Sequence, residues 1–133
     1  MILVDTSVWI DLLNGVRSPQ TEFLKKLIDN EKEDIGITEI IFTEILQGIK
    51  CESDFRKVKS LLLEFTLFKP KGIATYLKAV QIYRDCRKKG RTARKTVDCI
   101  IAAICIENGA ALLHNDADFH RIEECSQLKC VKV

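Results

Sequence analysis

Four acidic residues of this chain stand where an acid is costly. Asp5 directly follows Ile2-Leu3-Val4, and Glu44 lies inside Ile40-Ile41-Phe42-Thr43-Glu44-Ile45-Leu46. Asp98 opens Cys99-Ile100-Ile101-Ala102-Ala103-Ile104, and Asp116 comes just past Ala111-Leu112-Leu113. A carboxylate beside an apolar face costs several kcal/mol unless it is paired, protonated or bound to a metal. Acids in polar stretches, such as Asp-Asn-Glu-Lys-Glu-Asp at 29–34, need only solvation. Taken singly, Asp5 or Asp116 reads as the N-cap of a following helix. Glu44 and Asp98, within apolar helical segments, have no capping role. On its helix Asp98 shares one face with Ile101, Ala102 and Cys105. Four such acids spread along one chain read as a single converging pocket.

That pocket needs cations. Two carboxylates about 4 Å apart repel by roughly 4 kcal/mol at an effective dielectric near 20, so four cannot all ionise unaided. No Lys or Arg is embedded in the same apolar segments. An all-oxygen site suits Mg²⁺ or Mn²⁺ rather than Zn²⁺. One or two such ions activate a water and stabilise the leaving oxygen of a phosphodiester. The residues point to a metal-dependent phosphoryl hydrolase. A nucleic-acid substrate fits the stretch Arg84–Lys95, which carries seven basic residues in twelve and runs directly into the Asp98 segment. Arg84–Lys89 reads equally as a solvated helix end. Arg91, Arg94 and Lys95 are the candidate nucleic-acid contacts. No dense run of aromatics offers base stacking, so base-specific readout is not indicated.

The elements that must position these residues are short apolar runs alternating with longer helical patterns. Strands are expected at 2–4, 35–37, 66–68, 110–113 and 130–133. Helices are expected from about Val8 to Leu13, over 20–30, from a Thr38 cap to Gly48, and over 53–64, 73–89 and 97–108. This alternation implies an α/β fold, a parallel sheet with helices on both faces. In such sheets ligands sit beyond the C-terminal strand ends, near a switch in strand order.

With 133 residues, 47% apolar and 30% charged, the chain is expected to be one soluble domain spanning 1–133 rather than a disordered segment. The net charge of +2 gives no bulk argument for nucleic acid. No apolar run reaches the ~18 residues of a membrane helix, and the opening Met1–Asp5 does not read as a signal peptide. The expectation is therefore a cytoplasmic protein without a membrane partner. Its six cysteines lack a C-x-x-C and are expected to be reduced, with Cys125/Cys130 the one pair to inspect.

Four ordered segments, Val4-Asp5-Thr6-Ser7, Thr43-Glu44, Arg94-Lys95-Thr96-Val97-Asp98-Cys99-Ile100-Ile101-Ala102-Ala103 and Leu112-Leu113-His114-Asn115-Asp116-Ala117-Asp118-Phe119, resemble PIN-domain ribonucleases. More narrowly, they resemble the VapC-type toxins of bacterial toxin–antitoxin pairs, over essentially the whole chain. The resemblance implies a PIN-like three-layer α/β/α fold with a five-stranded parallel sheet of order 3-2-1-4-5. It implies a Mg²⁺- or Mn²⁺-dependent endoribonuclease toxin, cutting RNA and perhaps tRNA. Asp5, Asp98 and Asp116 would hold the ion directly or through water, and Glu44 through water. Ser7 and Thr6 would support the site, with Asp118 as a secondary acid. A homodimer and a cognate VapB-type antitoxin whose tail occupies the acids are further implications. Trp9, Phe42 and Ile45 are candidates for the antitoxin-facing or dimer surfaces, with Trp9 otherwise a core residue. His114 stands where many relatives carry Thr or Ser, either touching substrate or capping the strand. His114 and His120 make a poor zinc pair. Two other readings remain: a catalytically silent PIN-type RNA- or partner-binding module, and a receiver-like Mg²⁺-binding regulatory domain.

Overall fold

Ile2, Leu3 and Val4 have no polar side chain to offer solvent, and the chain places them at the centre of its sheet, with Leu3 and Val4 fully buried. The computed structural model describes residues 1–30 and 34–133. Residues 31–33 of the acidic stretch lie outside the described residues. Strand β1 (Ile2–Val4) pairs in parallel with β2 (Ile35–Thr38), Leu3 opposite Gly36. Beyond β2 lies β3 (Thr66–Phe68), and on the other side of β1 lies β4 (Ala111–Leu113), both also parallel. The order is β3-β2-β1-β4.

Among the described residues the sheet thus has four strands where five were expected. The segment at 130–133 lies next to β4, as the expected order requires, but makes only one parallel bridge, Leu112 with Cys130. Two bonds of 2.9 Å hold it, Leu112 N to Lys129 O and Val131 N to Leu112 O. The chain leaves β4 at His114 to form a turn, so Lys132 has no extended partner with which to continue the ladder. On the outer side the Cys130 N–H donates to the Glu123 carboxylate at 3.0 Å, which closes the edge.

Among the described residues the helices are α1 (Thr6–Leu13), α2 (Pro19–Asn30), α3 (Glu39–Gln47), α4 (Glu52–Leu62), α5 (Ile73–Lys88), α6 (Thr96–Glu107) and α7 (Ala117–Cys125). They pack in two sets. Helix α1 meets α2 and α3, and α3 meets α4; on the other side α5 and α6 meet each other and α7. Helix α6 buries the anticipated face, with Asp98, Ile101, Ala102 and Cys105 all buried. It stops at Asn108, after which Gly109 turns the chain with φ of +62°. Helix α7 was foreshadowed only by the capping reading of Asp116, and its extent was not anticipated. Its buried side rests on Phe119, Ile122 and Cys125 among charged neighbours, too sparse an apolar pattern to stand out.

Trp9 is 1% exposed and lies against Phe65 with ring centroids 5.5 Å apart, and Ile45 is equally buried. Both are core residues and present no surface to a partner; Phe42 is only partly buried against that core. The cysteine expectation is corrected as well. Cys86 on α5 and Cys125 on α7 form a disulfide, with Cα atoms 5.3 Å apart, while Cys51, Cys99, Cys105 and Cys130 are free. The pairing exists because α7 runs alongside α5, a helix–helix contact that the sequence pattern did not reveal, whereas Cys130 has moved on to the edge of β4. The bond closes a loop spanning 39 positions. On the chain-entropy argument, closing a loop of about this length is worth about 3–4 kcal/mol. Reductant, or Cys86→Ser with Cys125→Ser, is expected to lower the melting temperature by about 10–15 °C. Thermal unfolding with and without reductant checks this, and an unchanged transition would contradict it.

Candidate functional site

Strands β1 and β4 are parallel neighbours, so their C-terminal ends deliver Asp5 and the turn at 114–116 side by side. The Asp5 N–H donates to Leu113 O at 2.9 Å across that junction. This is where the strand order reverses, since β2 flanks one side of β1 and β4 the other. Asp5 caps α1, its Oδ2 accepting from Ser7 N at 3.1 Å and from Ser7 Oγ at 2.7 Å. Ser7 Oγ in turn accepts from Asn115 N at 3.1 Å, and Asn115 Nδ2 donates to Asp11 Oδ2 at 3.0 Å. Asp116 caps α7, its Oδ1 accepting from Asp118 N at 2.9 Å. The capping role and the pocket role therefore coexist, because each cap occupies one carboxylate oxygen and leaves the other.

Glu44 arrives from the next strand. Thr38, at the end of β2, caps α3 by accepting from Ile41 N at 3.1 Å, and one turn later α3 presents Glu44. Thr6 Oγ1 donates to Glu44 Oε1 at 2.8 Å, which ties α3 to the start of α1. Asp98 comes from the first turn of α6. Asp5, Thr6, Ser7, Glu44, Lys95, Thr96, Val97, Asp98 and Asp116 line one cavity of about 370 Å³.

Ligand-type oxygens of Asp98 and Asp116, which line it, and of Asp118, which does not, lie within 4.8 Å of one another. Charges at 4.8 Å repel by about 3 kcal/mol at an effective dielectric near 20. Asp98 carries most of this conflict. It is 6% exposed, and its Oδ2 is buried without a hydrogen-bond partner. Burial pushes its carboxyl up to about 7, with Asp5, Asp116 and Asp118 adding to the rise and Lys95 opposing it.

The compensating bases come from outside the apolar segments. Arg121 pairs with Asp118, Arg94 Nε lies 4.0 Å from Asp118 Oδ1, and Lys95 Nζ lies 4.0 Å from Asp116 Oδ2. Arg91 instead pairs with Glu124 on α7 at 2.9 Å. Of the three expected RNA contacts, Arg94 and Lys95 therefore face the acids, and Arg91 faces α7. All three side chains are more than half exposed, at 54% for Arg91, 73% for Arg94 and 62% for Lys95. The sequence reading missed Arg121, Asn115 and Asp11. The i,i+3 spacing from Asp118 to Arg121 is a signal only once α7 is known.

His114 is buried, and its Nδ1 accepts the Asp116 N–H at 3.2 Å. Burial, then the neighbouring His120, lowers its basicity. The two rings stand 4.9 Å apart, but among the described residues the metal-ligating side chains cluster only at the acids.

The PIN domain family matches residues 2–124. VapC ribonuclease Mb1587 from Mycobacterium bovis is 32% identical over 129 residues, covering 97% of this chain and 96% of the relative. VapBC2 from Rickettsia felis, solved bound to a DNA fragment from its promoter, has a similar fold at TM-score 0.71 and 19% identity, covering 98% of both chains. A toxin–antitoxin complex from Klebsiella pneumoniae gives TM-score 0.68 and 20% identity over 90% of each chain. A receiver-like domain is thereby set aside.

The raised Asp98 carboxyl sets a direction for stability. Between about pH 4 and 7 the folded, metal-free protein holds a proton that the unfolded chain has released, so stability falls as pH rises through this window and stays low above it. Asp98→Asn is expected to remove that dependence and to raise the melting temperature at pH 8, by about 4 °C per kcal/mol relieved. Melting curves of both proteins in EDTA at pH 5 and pH 8 check it; an equal slope in the two would contradict it.

Proposed function

The chain belongs to the PIN domain family, and on that footing we propose that it is a Mg²⁺- or Mn²⁺-dependent endoribonuclease, the toxin of a toxin–antitoxin pair. The observation that carries the metal is Asp98 Oδ2, buried without a partner beside further carboxylates. A buried acid left so is expensive unless a cation takes up the charge. The donor set consists of carboxylate oxygens, hard ligands of the kind that hold Mg²⁺ and Mn²⁺.

Asp5, Asp98 and Asp116 would hold the ion, Asp5 and Asp116 each with the oxygen not used in capping a helix and Asp98 from the first turn of α6. Glu44, fixed by Thr6, would act through water, and Asp118 would help to place Asp116 while Arg121 neutralises it. Such an ion supplies an activated water and positive charge against the departing oxygen of the phosphodiester. Arg94 and Lys95 sit beside the acids and would hold the RNA phosphates, Lys95 exchanging Asp116 for substrate. Arg91 would add phosphate affinity from farther along the backbone. These contacts read charge and not sequence, so RNA choice, tRNA included, would rest on shape.

The whole chain is read as one PIN domain, working in the cytoplasm as a homodimer and restrained by a VapB-type antitoxin. The solved toxin–antitoxin assemblies of the same fold support that partner. Among the described residues no helix is long and apolar enough to cross a membrane.

Purified protein with total RNA or tRNA is expected to cut in Mg²⁺ or Mn²⁺ and to stop in EDTA. Asp5→Asn and Asp98→Asn should each lower the rate at least ~100-fold, about 3 kcal/mol of barrier. Cutting that survives EDTA or both substitutions would contradict the proposal; a folded protein that binds RNA without cutting would favour the silent module.

A further inference from the structure

Only three residues separate β4 from α7, and they make the whole turn that delivers Asp116. The middle one, Asn115, is held from the α1 side, by Ser7 Oγ and by Asp11. The first, His114, holds the turn from within. The residue is 7% exposed, and its ring rests on Phe119 at 5.3 Å between centroids and meets His120 edge-on at 4.9 Å. An Nδ1 that accepts the Asp116 N–H carries its ring proton on Nε2, so His114 works here as an acceptor. The Asp116 N–H lies ahead of α7 and has no helical carbonyl to reach, which leaves the imidazole as its partner. With Oδ1 fixed by Asp118 N, the residue is pinned at main chain and side chain, and Oδ2 is left facing the site. Pinning matters because the neighbouring carboxylates push Asp116 away from Asp98.

We propose that His114 is a positioning residue of this centre, acting through its Nδ1 on the main chain of Asp116 and setting metal affinity without touching substrate. The proposal rests on the reading of the acids as a metal centre. Burial of the ring and occupation of Nδ1 leave it poorly placed to meet RNA directly.

Two substitutions in the full chain separate the acceptor from the ring. His114→Asn puts an amide oxygen near the Nδ1 position, and His114→Phe keeps a ring without an acceptor. The readouts are Mn²⁺ titration by electron paramagnetic resonance, the melting temperature, and amide hydrogen exchange at Asp116 in EDTA. His114→Phe is expected to bind Mn²⁺ ~10-fold more weakly, the effect typical of losing a group that orients a ligand. Its Asp116 amide should exchange faster, while the melting temperature stays within a few degrees of the parent. His114→Asn should stay within about threefold of the parent in Mn²⁺ affinity, with a protected amide, since it restores the acceptor. Unchanged Mn²⁺ binding in His114→Phe, or equal loss in both variants, would overturn the proposal. If the parent protein binds no Mn²⁺, the metal reading fails by itself. The exchange data then still decide whether His114 holds the turn: equal exchange in all three proteins overturns it, and fast exchange in His114→Phe alone supports it.

Discussion

Mutual repulsion of acids in a partly buried cleft is the constraint on which the rest of the structure depends. Asp98, Asp116 and Asp118 converge to within 4.8 Å, and Asp98 is buried with an oxygen that bonds to nothing. Left alone, such a cluster would open or take up protons. The fold resists opening by drawing the acids from four rigid elements: Asp5 follows β1, α3 carries Glu44, α6 carries Asp98, and α7 supplies both Asp116, its cap, and Asp118. Moving one acid outward means moving an element of the core.

The hydrogen bonds around the acids serve the same end. Asp5 is tied to β4 through its own N–H, and Ser7 links the Asp5 carboxylate to the main chain of Asn115. Thr6 links Glu44 to α1. Arg121, Arg94 and Lys95 reduce the net charge from the rim without filling the cleft. The bases of the two 4.0 Å contacts, Arg94 and Lys95, are largely exposed; such contacts contribute little to stability, and for that reason they can be exchanged for substrate or an ion at small cost. The same acids thus make a site that is uncomfortable when bare and receptive to a hard cation.

Much of this was legible in the sequence because the acids contradict their surroundings. Asp5 and Asp116 follow apolar strands, and Glu44 and Asp98 interrupt apolar helices, so composition alone sets them apart. The strand order also followed from a recognised pattern, apart from the terminal segment, which has too little of β4 to pair with. What was not legible depends on helix–helix contacts. Helix α7 buries only three apolar residues amid charges, and with it went the Arg121 partner of Asp118 and the Cys86–Cys125 bond. Trp9 and Ile45 carry no mark in the sequence that separates core from interface; only their packing shows them to be core. His114, a departure from the pattern of the resembled family, gained a role only when its Nδ1 was found against the Asp116 N–H.

The most direct measurement is anomalous diffraction from crystals of the protein soaked in Mn²⁺. The account predicts a manganese peak within coordination distance of the Asp98 carboxylate, with Asp116 among its other ligands. A fully occupied peak elsewhere, or no peak at the acids in crystals whose cleft is open to solvent, would contradict it.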